Sequence, residues 1–345
     1  NRNCSVIYSI EILRFFSSIF VIIYHYEYFF FRTLKFKDNS KIHDILPFDN
    51  FINWIYVYGD YGVQIFWCIS GFVISYIYLD KINSISFKKF AGNRISRLYP
   101  LHLITLIVVL AIQVIYEYFV NFPLSSLNDS YHFILHLFFI SSWGLEQGDS
   151  YNLPIWSVSK EIIAYILFFF LASNINNLNF KKIIFALFTL ILLNKLPIFA
   201  SDQHVNLLSC LILFLSGLLI YKLYLIKKNL FFIIGLLLLV VSFVGNFKIF
   251  IFSSGILMLF ISLEKFLGKN VKKIFSLLGN LTYSSYLLHY PLITLMIICF
   301  KDRIEIFSNN YFFIGYLFFV LFLSYLSFKY FEIKAKYFFR KIFAK

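Results

Sequence analysis

Residues 230–245 read LFFIIGLLLLVVSFVG. This run has no charged residue and no alternation of polar and apolar residues, so it predicts an apolar helix and excludes a strand of a membrane barrel. Similar runs of roughly 18 to 25 residues recur along the chain, the length a helix needs to cross about 30 Å of hydrocarbon. The 345-residue chain is 60% hydrophobic and 14% charged, with a mean hydropathy of +0.79, which excludes a soluble enzyme. We predict an all-α, polytopic transmembrane helical bundle.

Ten apolar segments of the chain are long enough to be predicted as membrane spans. The segment 131–143 is too short to cross, and we interpret it as a re-entrant or interfacial piece. The prediction is therefore a single membrane-embedded domain over residues 1–345 with no soluble domain. The predicted spans are 7–31, 54–79, 101–120, 155–173, 183–200, 207–226, 230–246, 249–264, 275–300 and 311–331.

The net charge of +14 indicates how the protein is oriented in the membrane rather than nucleic-acid binding, because the basic residues lie between apolar segments. With ten spans, 21 of the 31 Lys and Arg residues lie in loops on the N-terminal side of the membrane and 8 on the other side. Cytoplasmic loops carry the excess of positive charge. This bias predicts that both termini are cytoplasmic, with the lipid bilayer as a partner and no nucleic acid.

The four cysteines are far apart in the sequence and form no CxxC motif or His/Cys cluster. Neither a zinc site nor a disulfide framework is implied, so we predict no metal. We interpret the cysteines as small buried hydrophobic residues. They are Cys4, Cys68, Cys210 and Cys299.

The first predicted span contains ionisable residues, which are costly in hydrocarbon and therefore candidates for function. Glu11 and Arg14 have the i, i+3 spacing of a charge pair. Arg14 and His25 are eleven residues apart, which on a helix is about 1100° and about 16 Å of rise, so they share a face and cannot touch. This spacing excludes a directly bonded nucleophile and base. The structural alternatives are an ion pair near the interface and a hydrogen-bonded core histidine.

Two other spans carry similar residues. The motif WSVSKE places Trp156, Lys160 and Glu161 near one end of the span 155–173. Tyr283, Tyr286 and His289 follow helical spacing in 275–300, where the polar ends of Tyr286 and His289 can meet. Pro291 is expected to kink this helix and free carbonyl groups. An ordinary kinked helix with an interfacial tyrosine is the alternative.

The stretch 87–100 is basic and lies just before the span that begins near Pro100. Arg94 and Arg97, at i, i+3, are able to grip phosphates bidentately. The alternative is an anchor that reaches lipid headgroups, which we prefer for Lys88 and Lys89.

Five motifs in order give the chain a family resemblance. It resembles the acyltransferase-3 family of integral membrane acyltransferases, whose bacterial members O-acetylate cell-surface polysaccharides. The resemblance extends from about residue 8 to 331. Gln64, Trp67, Lys160 and Thr282 depart from the usual pattern, which leaves the acceptor pocket open. The motifs are EILRFFSSIFVIIYH (11–25), GDYGVQIFWCISGF (59–72), NRISRLYP (93–100), WSVSKE (156–161) and LGNLTYSSYLLHYP (278–291).

The resemblance implies a membrane O-acyltransferase of the bacterial cytoplasmic membrane. The donor is an acyl-CoA, expected to be acetyl-CoA, and the acceptor is a hydroxyl of a polysaccharide, a lipid-linked oligosaccharide or a small glycoside. It implies catalytic roles for Arg14 and His25, with Glu11 beside them, and donor binding by Arg94 and Arg97. Supporting or acceptor-pocket roles are expected for Glu161, Trp156, Tyr283, Tyr286 and His289.

The residues alone leave the mechanism and the function class open. His25 suits either general base catalysis on the acceptor hydroxyl or an acyl-histidine intermediate. Arg14 or Tyr286 is a candidate to stabilise the oxyanion. A membrane transporter or flippase without acyl transfer is the competing class, although no inverted repeat is visible. A non-catalytic sensor or assembly protein is a third.

Overall fold

The computed structural model describes residues 6–34, 45–120, 124–173, 180–196, 206–243 and 248–344. Within these ranges the chain forms helices and no β-strand, which confirms the predicted all-α class. The α-helices are α1 (Tyr8–Tyr24), α2 (Tyr28–Leu34), α3 (Asp49–Tyr58), α4 (Tyr61–Tyr78), α5 (Phe87–Val120), α6 (Ser130–Leu137), α7 (Ile155–Ser173), α8 (Phe180–Asn194), α9 (Leu207–Lys227), α10 (Phe231–Ser242), α11 (Lys248–Leu263), α12 (Lys269–Cys299), α13 (Asn310–Leu326) and α14 (Ile333–Ala344).

Eight helical segments among the described residues are long and apolar enough to span a membrane, which confirms a polytopic protein. Each of the ten predicted spans overlaps at least one helix, and the two counts differ for two reasons. The segment Leu207–Ser242 contains both α9 and α10. Helix α8 has 15 residues, fewer than the roughly 17 of a short span. The predicted ends 197–200 and 244–246 lie outside the described residues.

The predicted span 54–79 is wrong as a single helix, because α3 ends at Tyr58 and α4 begins at Tyr61. A Cβ atom on Gly59 would lie 2.6 Å from the Ile55 carbonyl oxygen and 2.8 Å from the Cβ atom of Tyr24. Only a residue without a side chain fits at this close approach to α1.

The predicted span 101–120 begins later than the helix does, because α5 is a single helix of 34 residues with Pro100 inside it. Proline removes one N–H from the ladder, and membrane helices tolerate this loss when side chains or neighbours satisfy the freed group. The arginine motif therefore lies on a helix, where Arg94 and Arg97 are one turn apart.

The segment predicted as too short to cross contains α6, which has eight residues. Asp129 caps this helix, since its carboxylate accepts the His132 backbone N–H at 2.8 Å and the His132 ring N–H at 2.8 Å. These hydrogen bonds lower the pKa of Asp129. His132 and His136 are buried beneath the helix.

The described chain divides into two compact units. The first comprises Asn1–Ser17, Tyr61–Phe90 and Lys160–Asn280. Its helices α4 and α9 approach at Gly71 and Gly217, where an added Cβ would collide with backbone atoms of the opposite helix. Small residues are what allow such close packing between apolar helices, because water supplies no hydrophobic drive inside a bilayer.

The second unit comprises Ser18–Asp60, Ala91–Ser159 and Leu281–Lys345. Its core is aromatic: the Tyr26 ring meets Phe313 at 5.0 Å in a T-shaped contact, and Phe29 stacks on Phe307 at 4.4 Å. The Tyr26 hydroxyl donates to the Phe307 carbonyl at 2.8 Å. Because the hydroxyl of buried Tyr26, the residue next to His25, finds an acceptor, this core helps to hold the residues around His25 in one arrangement.

Candidate active site

His25 lies in a 3₁₀ turn, His25–Glu27, that separates α1 from α2. The sequence predicted an uninterrupted helix over 7–31, so the turn is a correction. The His25 side chain is 6% exposed and lies between the rings of Tyr24 and Tyr28, whose centroids are 5.3 and 5.4 Å away. Short 3₁₀ segments inside helices often mark functional positions.

His25 pairs with His289 of α12. The two rings meet through His25 Nδ1 and His289 Nε2 at 2.9 Å. Their planes differ by 8° and their centroids are 5.1 Å apart. Two ring radii and the N···N distance account for that separation, so the rings lie end to end in nearly one plane rather than face to face. This is the orientation of a linear N–H···N hydrogen bond.

The hydrogen bonds of His289 determine the tautomers of both rings. His289 Nδ1 lies 3.2 Å from the Ser285 carbonyl oxygen, which only accepts, so Nδ1 carries the proton. In a neutral imidazole the other nitrogen then accepts, and His25 Nδ1 must donate to it. Neutral His25 is left with its lone pair on Nε2. The pair thus presents Nε2 of His25 as the basic nitrogen.

Asn152 stabilises α12 around this pair. Pro291 has no N–H, so the carbonyl of Leu287, four residues earlier, loses its helical donor. Asn152 Nδ2 donates to that carbonyl at 3.1 Å. The helix therefore continues through Pro291, and the freed carbonyl predicted from the sequence is satisfied by a side chain.

Tyr286 does not point its hydroxyl at His289, contrary to the expectation that their polar ends meet. The Tyr286 hydroxyl bonds the Ser157 hydroxyl at 2.7 Å and donates to the Pro154 carbonyl at 3.0 Å. Its ring instead meets the His289 ring at 6.0 Å in a T-shaped contact. Tyr286 is thus hydrogen-bonded at the start of α7. Trp156 is the second residue of that helix.

Arg94 and Arg97 lie near the start of α5, where both are partly buried. The Tyr283 hydroxyl donates to the Leu98 carbonyl at 2.5 Å, next to Arg97. Tyr283 therefore contacts the arginine motif rather than the histidine pair. Helix α12 thus contacts both groups, with Tyr283 on the Leu98 carbonyl of the arginine motif and His289 on His25.

Glu11 and Arg14 form the predicted i, i+3 pair in the first unit. Arg14 Nη1 donates to Glu11 Oε2 at 3.0 Å, with both side chains about one fifth exposed. Gly279 of the motif 278–291 leaves room for this pair, because a Cβ there would lie 2.5 Å from the Cβ atom of Glu11. The ion pair fixes the guanidinium.

Glu161 belongs to the first unit and accepts a hydrogen bond from the Tyr165 hydroxyl one turn later on α7. Lys160 beside it is 7% exposed. Buried charges of this kind are held by partners. The role implied for Glu161 by the family resemblance stays a prediction.

Several polar residues of the histidine cluster were missed by the sequence analysis. The Ser18 hydroxyl bonds the Ser285 hydroxyl at 2.8 Å, one helical turn before His289. The available signal was spacing, since Ser18 is seven residues before His25 and Ser285 is four before His289, which places each pair on one helix face. Asn152 had no such signal, because it lies in a loop.

In the described ranges, no three His, Cys, Asp or Glu side chains lie close enough together to hold a metal ion. Cys68 and Cys210 are buried as predicted, whereas Cys299 is exposed, so the prediction is wrong there. Cys4 lies outside the described residues.

Comparison with protein families matches residues 7–329, most of the chain, to the acyltransferase domain of the acyltransferase-3 type. No curated protein and no solved structure matches the chain. The match covers all five motifs, including the histidines and arginines described above. The chain belongs to the acyltransferase-3 family, and it is a multi-pass membrane acyltransferase.

Proposed function

We propose that this protein is an acyl-CoA-dependent O-acyltransferase of a bacterial cytoplasmic membrane. It moves an acetyl group from acetyl-CoA to a hydroxyl of a cell-envelope carbohydrate, either a polysaccharide, a lipid-linked oligosaccharide or a small glycoside. The hydrogen bond from His25 to His289 carries this proposal, because it prepares a neutral imidazole with its base nitrogen chosen in advance.

His25 is the general base in this proposal. Its Nε2 takes the proton from the acceptor hydroxyl while the hydroxyl oxygen attacks the carbonyl carbon of the thioester. The carbonyl re-forms as the C–S bond breaks, and His25 returns the proton to the thiolate of CoA. The products are an ester and free CoA. Base catalysis of this kind contributes about 100- to 10,000-fold to a rate.

His289 acts through His25 and is a positioning residue. As His25 becomes protonated on Nε2, the positive charge is shared with the bonded Nε2 of His289, whose own Nδ1 is held by the Ser285 carbonyl. A buried acceptor that needs no reorganisation stabilises the imidazolium. In this arrangement His25 is the base and His289 is the group that orients it.

Arg94 and Arg97 bind the phosphates of the donor. Glu11 and Arg14 are assigned to the reaction because they belong to the first motif of the family resemblance. For the oxyanion, Tyr286 is available only if its hydroxyl leaves the Pro154 carbonyl. Trp156 and Glu161 are assigned to the acceptor pocket on the family resemblance.

The test follows free CoA released from acetyl-CoA by protein purified in nanodiscs, with cell-envelope glycans as acceptors. We expect turnover by the wild type and a loss of about 100-fold or more in His25→Ala. The matched control is His102→Gln, which alters another fully buried histidine, one bonded to the His136 carbonyl at 2.8 Å.

Each outcome of this test has a distinct meaning. Equal losses in both variants would assign His25 to folding rather than to chemistry. No release by the wild type with any glycan fraction would overturn the proposal in favour of a transporter or flippase. Acetyl label retained on the protein after removal of donor would replace the general base with an acyl-histidine intermediate.

A further inference from the structure

Four cationic side chains of the second unit lie on two helices that contact each other. Lys336 and Arg340 lie on α14, and Arg94 and Arg97 lie on α5. An aromatic ring of α5 lies 6.4 Å from an aromatic ring of α14, so two helices far apart in the sequence bring their positive charges to one place. Lys336 is acted on by the cations of Arg97, Arg340 and Arg94 and by the carboxylate of Glu332. We call this group the cationic cluster.

Charge of this kind is unfavourable without a counter-ion. Like charges repel most strongly where water is partly excluded, and Lys336, Arg94 and Arg97 are all partly buried. Lys334, by contrast, points into solvent from the same helix. An ordinary amphipathic anchor spreads its basic residues along the exposed face. Lys336 instead is partly buried beside the arginines of α5, while Arg340 is exposed.

The backbone around Glu332 is built to keep one carboxylate beside these cations. Residues Ser327–Glu332 form a π-helix. The Ser327 hydroxyl donates to Glu332 Oε1 at 3.2 Å, a contact between residues five apart. In an α-helix five residues correspond to about 500°, which would place the two side chains about 140° apart. The Ser284 hydroxyl also donates to this carboxylate. π-turns are frequent at functional sites.

Glu332 supplies one negative charge beside these cations. It attracts Arg97 and Lys336, while Arg94, Arg97 and Arg340 repel Lys336. A group of cations gathered in this way suits an anion that carries several charges. The nucleotide part of CoA carries a diphosphate and a separate phosphate monoester, and a monoester alone holds about 1.5 to 2 negative charges near pH 7. The headgroup of an ordinary anionic lipid holds fewer.

We propose that Lys336 and Arg340 of α14 complete, with Arg94 and Arg97, a binding site for the phosphate groups of the nucleotide part of CoA. The inference rests on the proposed function for the choice of ligand, and phosphate is the chemistry it shares with a lipid headgroup. Arginines supply paired donors and Lys336 a compact charge. Helix α14 is thereby a part of the donor site, not a membrane anchor.

The first test measures binding of CoA, 3′-dephospho-CoA and pantetheine to protein in nanodiscs of zwitterionic phosphatidylcholine. We expect Lys336→Gln and Arg340→Gln each to weaken CoA binding by roughly tenfold or more, since each removes a charged contact to phosphate. Binding of pantetheine, which has no phosphate, stays unchanged. Lys334→Gln is the matched control on α14 and binds CoA like the wild type.

The second test separates a binding role from a structural one. Because Lys336 is repelled by three cations, Lys336→Gln is expected to raise the unfolding temperature of the ligand-free protein while reducing the shift caused by CoA. Lys336→Arg keeps the charge and restores the CoA shift. A lower unfolding temperature with unchanged CoA binding would overturn the inference and make Lys336 a structural residue.

The remaining outcomes distinguish this inference from the proposed function. If the wild type turns over acetyl-CoA but Lys336→Gln and Arg340→Gln bind CoA as tightly as the wild type, the inference is wrong and the proposed function stands. If CoA binding depends on Lys336 but no free CoA is released from acetyl-CoA, the nucleotide site is supported and the proposed function is wrong. If only anionic phosphatidylglycerol stabilises the protein, and does so through Lys336, the cluster is a headgroup site and the nucleotide assignment falls.

Discussion

The histidine pair and the cationic cluster occupy the same compact unit and follow opposite physical rules. The pair is buried, and its hydrogen bonds run from His25 through His289 to the Ser285 carbonyl. The cluster is partly exposed and strongly charged, and its arginines repel Lys336. The hydrogen bonds of the first region are in place without substrate. In our proposal, the second region is completed by the phosphates of the donor.

This difference matches what each step of acyl transfer requires. A base must be held in one tautomer and one orientation, and low-dielectric surroundings preserve both. A donor site has to attract a polyanion and then release free CoA, so partly solvated charges suit it better than a saturated network. Changes in the pair should therefore alter kcat, and changes in the cluster should alter the KM for acyl-CoA.

After His25 itself, the largest effect is expected from His289. His289→Ala removes the acceptor for His25 Nδ1 and should lower kcat by about 10- to 100-fold with little change in the KM for acyl-CoA. His289→Gln still offers a carbonyl oxygen to the same N–H and should recover a large part of kcat. Steady-state kinetics of the two variants check this. Equal losses in both would show that His289 only fills space.

Asn152 allows a test of how α12 holds His289 in place. Asn152→Ala leaves the Leu287 carbonyl buried without its donor and should cost about 1–3 kcal/mol of stability. Pro291→Ala restores the backbone N–H for that carbonyl, so Asn152→Ala should cost much less in that background. Thermal unfolding of the four proteins gives the coupling.

The control for this cycle is Asn53→Ala, which removes an exposed side chain bonded to Asp49 at 3.4 Å. Its effect should stay within about 0.5 kcal/mol. Costs that simply add in the double variant would refute the link between Asn152 and Pro291.

Arg97→Lys tests geometry against charge in the cationic cluster. Lysine keeps the charge but loses the planar fork that grips phosphate through two donors. We expect the KM for acyl-CoA to rise by roughly fivefold while kcat stays close to the wild-type value. A fall in kcat with an unchanged KM would move Arg97 from donor binding to the chemistry.

The smallest predicted effect is that of salt. Raising the ionic strength screens partly exposed charges, with a Debye length of about 8 Å at 0.15 M and about 3 Å at 1 M. The KM for acyl-CoA should therefore rise by a few fold while kcat, set by the buried neutral pair, stays constant. Kinetics across a salt series in zwitterionic nanodiscs measure both. A parallel fall in kcat would erase the contrast between the two regions.

Much of this protein can be predicted from its amino-acid sequence. The apolar runs of roughly 18 to 25 residues have the length of a membrane helix, so the all-α, multi-pass class followed from the residues. The Glu11–Arg14 ion pair was also predictable, because residues at i and i+3 are neighbours on a helix. His25, Arg94 and Arg97 were recognisable through ordered motifs.

Other features depended on contacts between residues far apart in the chain. The 3₁₀ turn at His25 and the break after Tyr58 were not predicted, and at the break Gly59 lies too close to α1 for a side chain. The pairing of His25 with His289, 264 residues later, was invisible to helical spacing. So was the hydroxyl of Tyr286, which bonds Ser157 and Pro154 instead of reaching His289.

The amino-acid sequence was sufficient to predict the membrane class, the helices and the residue types that carry chemistry, because hydrophobicity and helical period act over a few residues. The basic nitrogen of His25 and the approach of α14 to the arginines of α5 became apparent only in the folded protein. Proton position and electrostatic repulsion depend on distances across the fold, and spacing along the chain does not encode those distances.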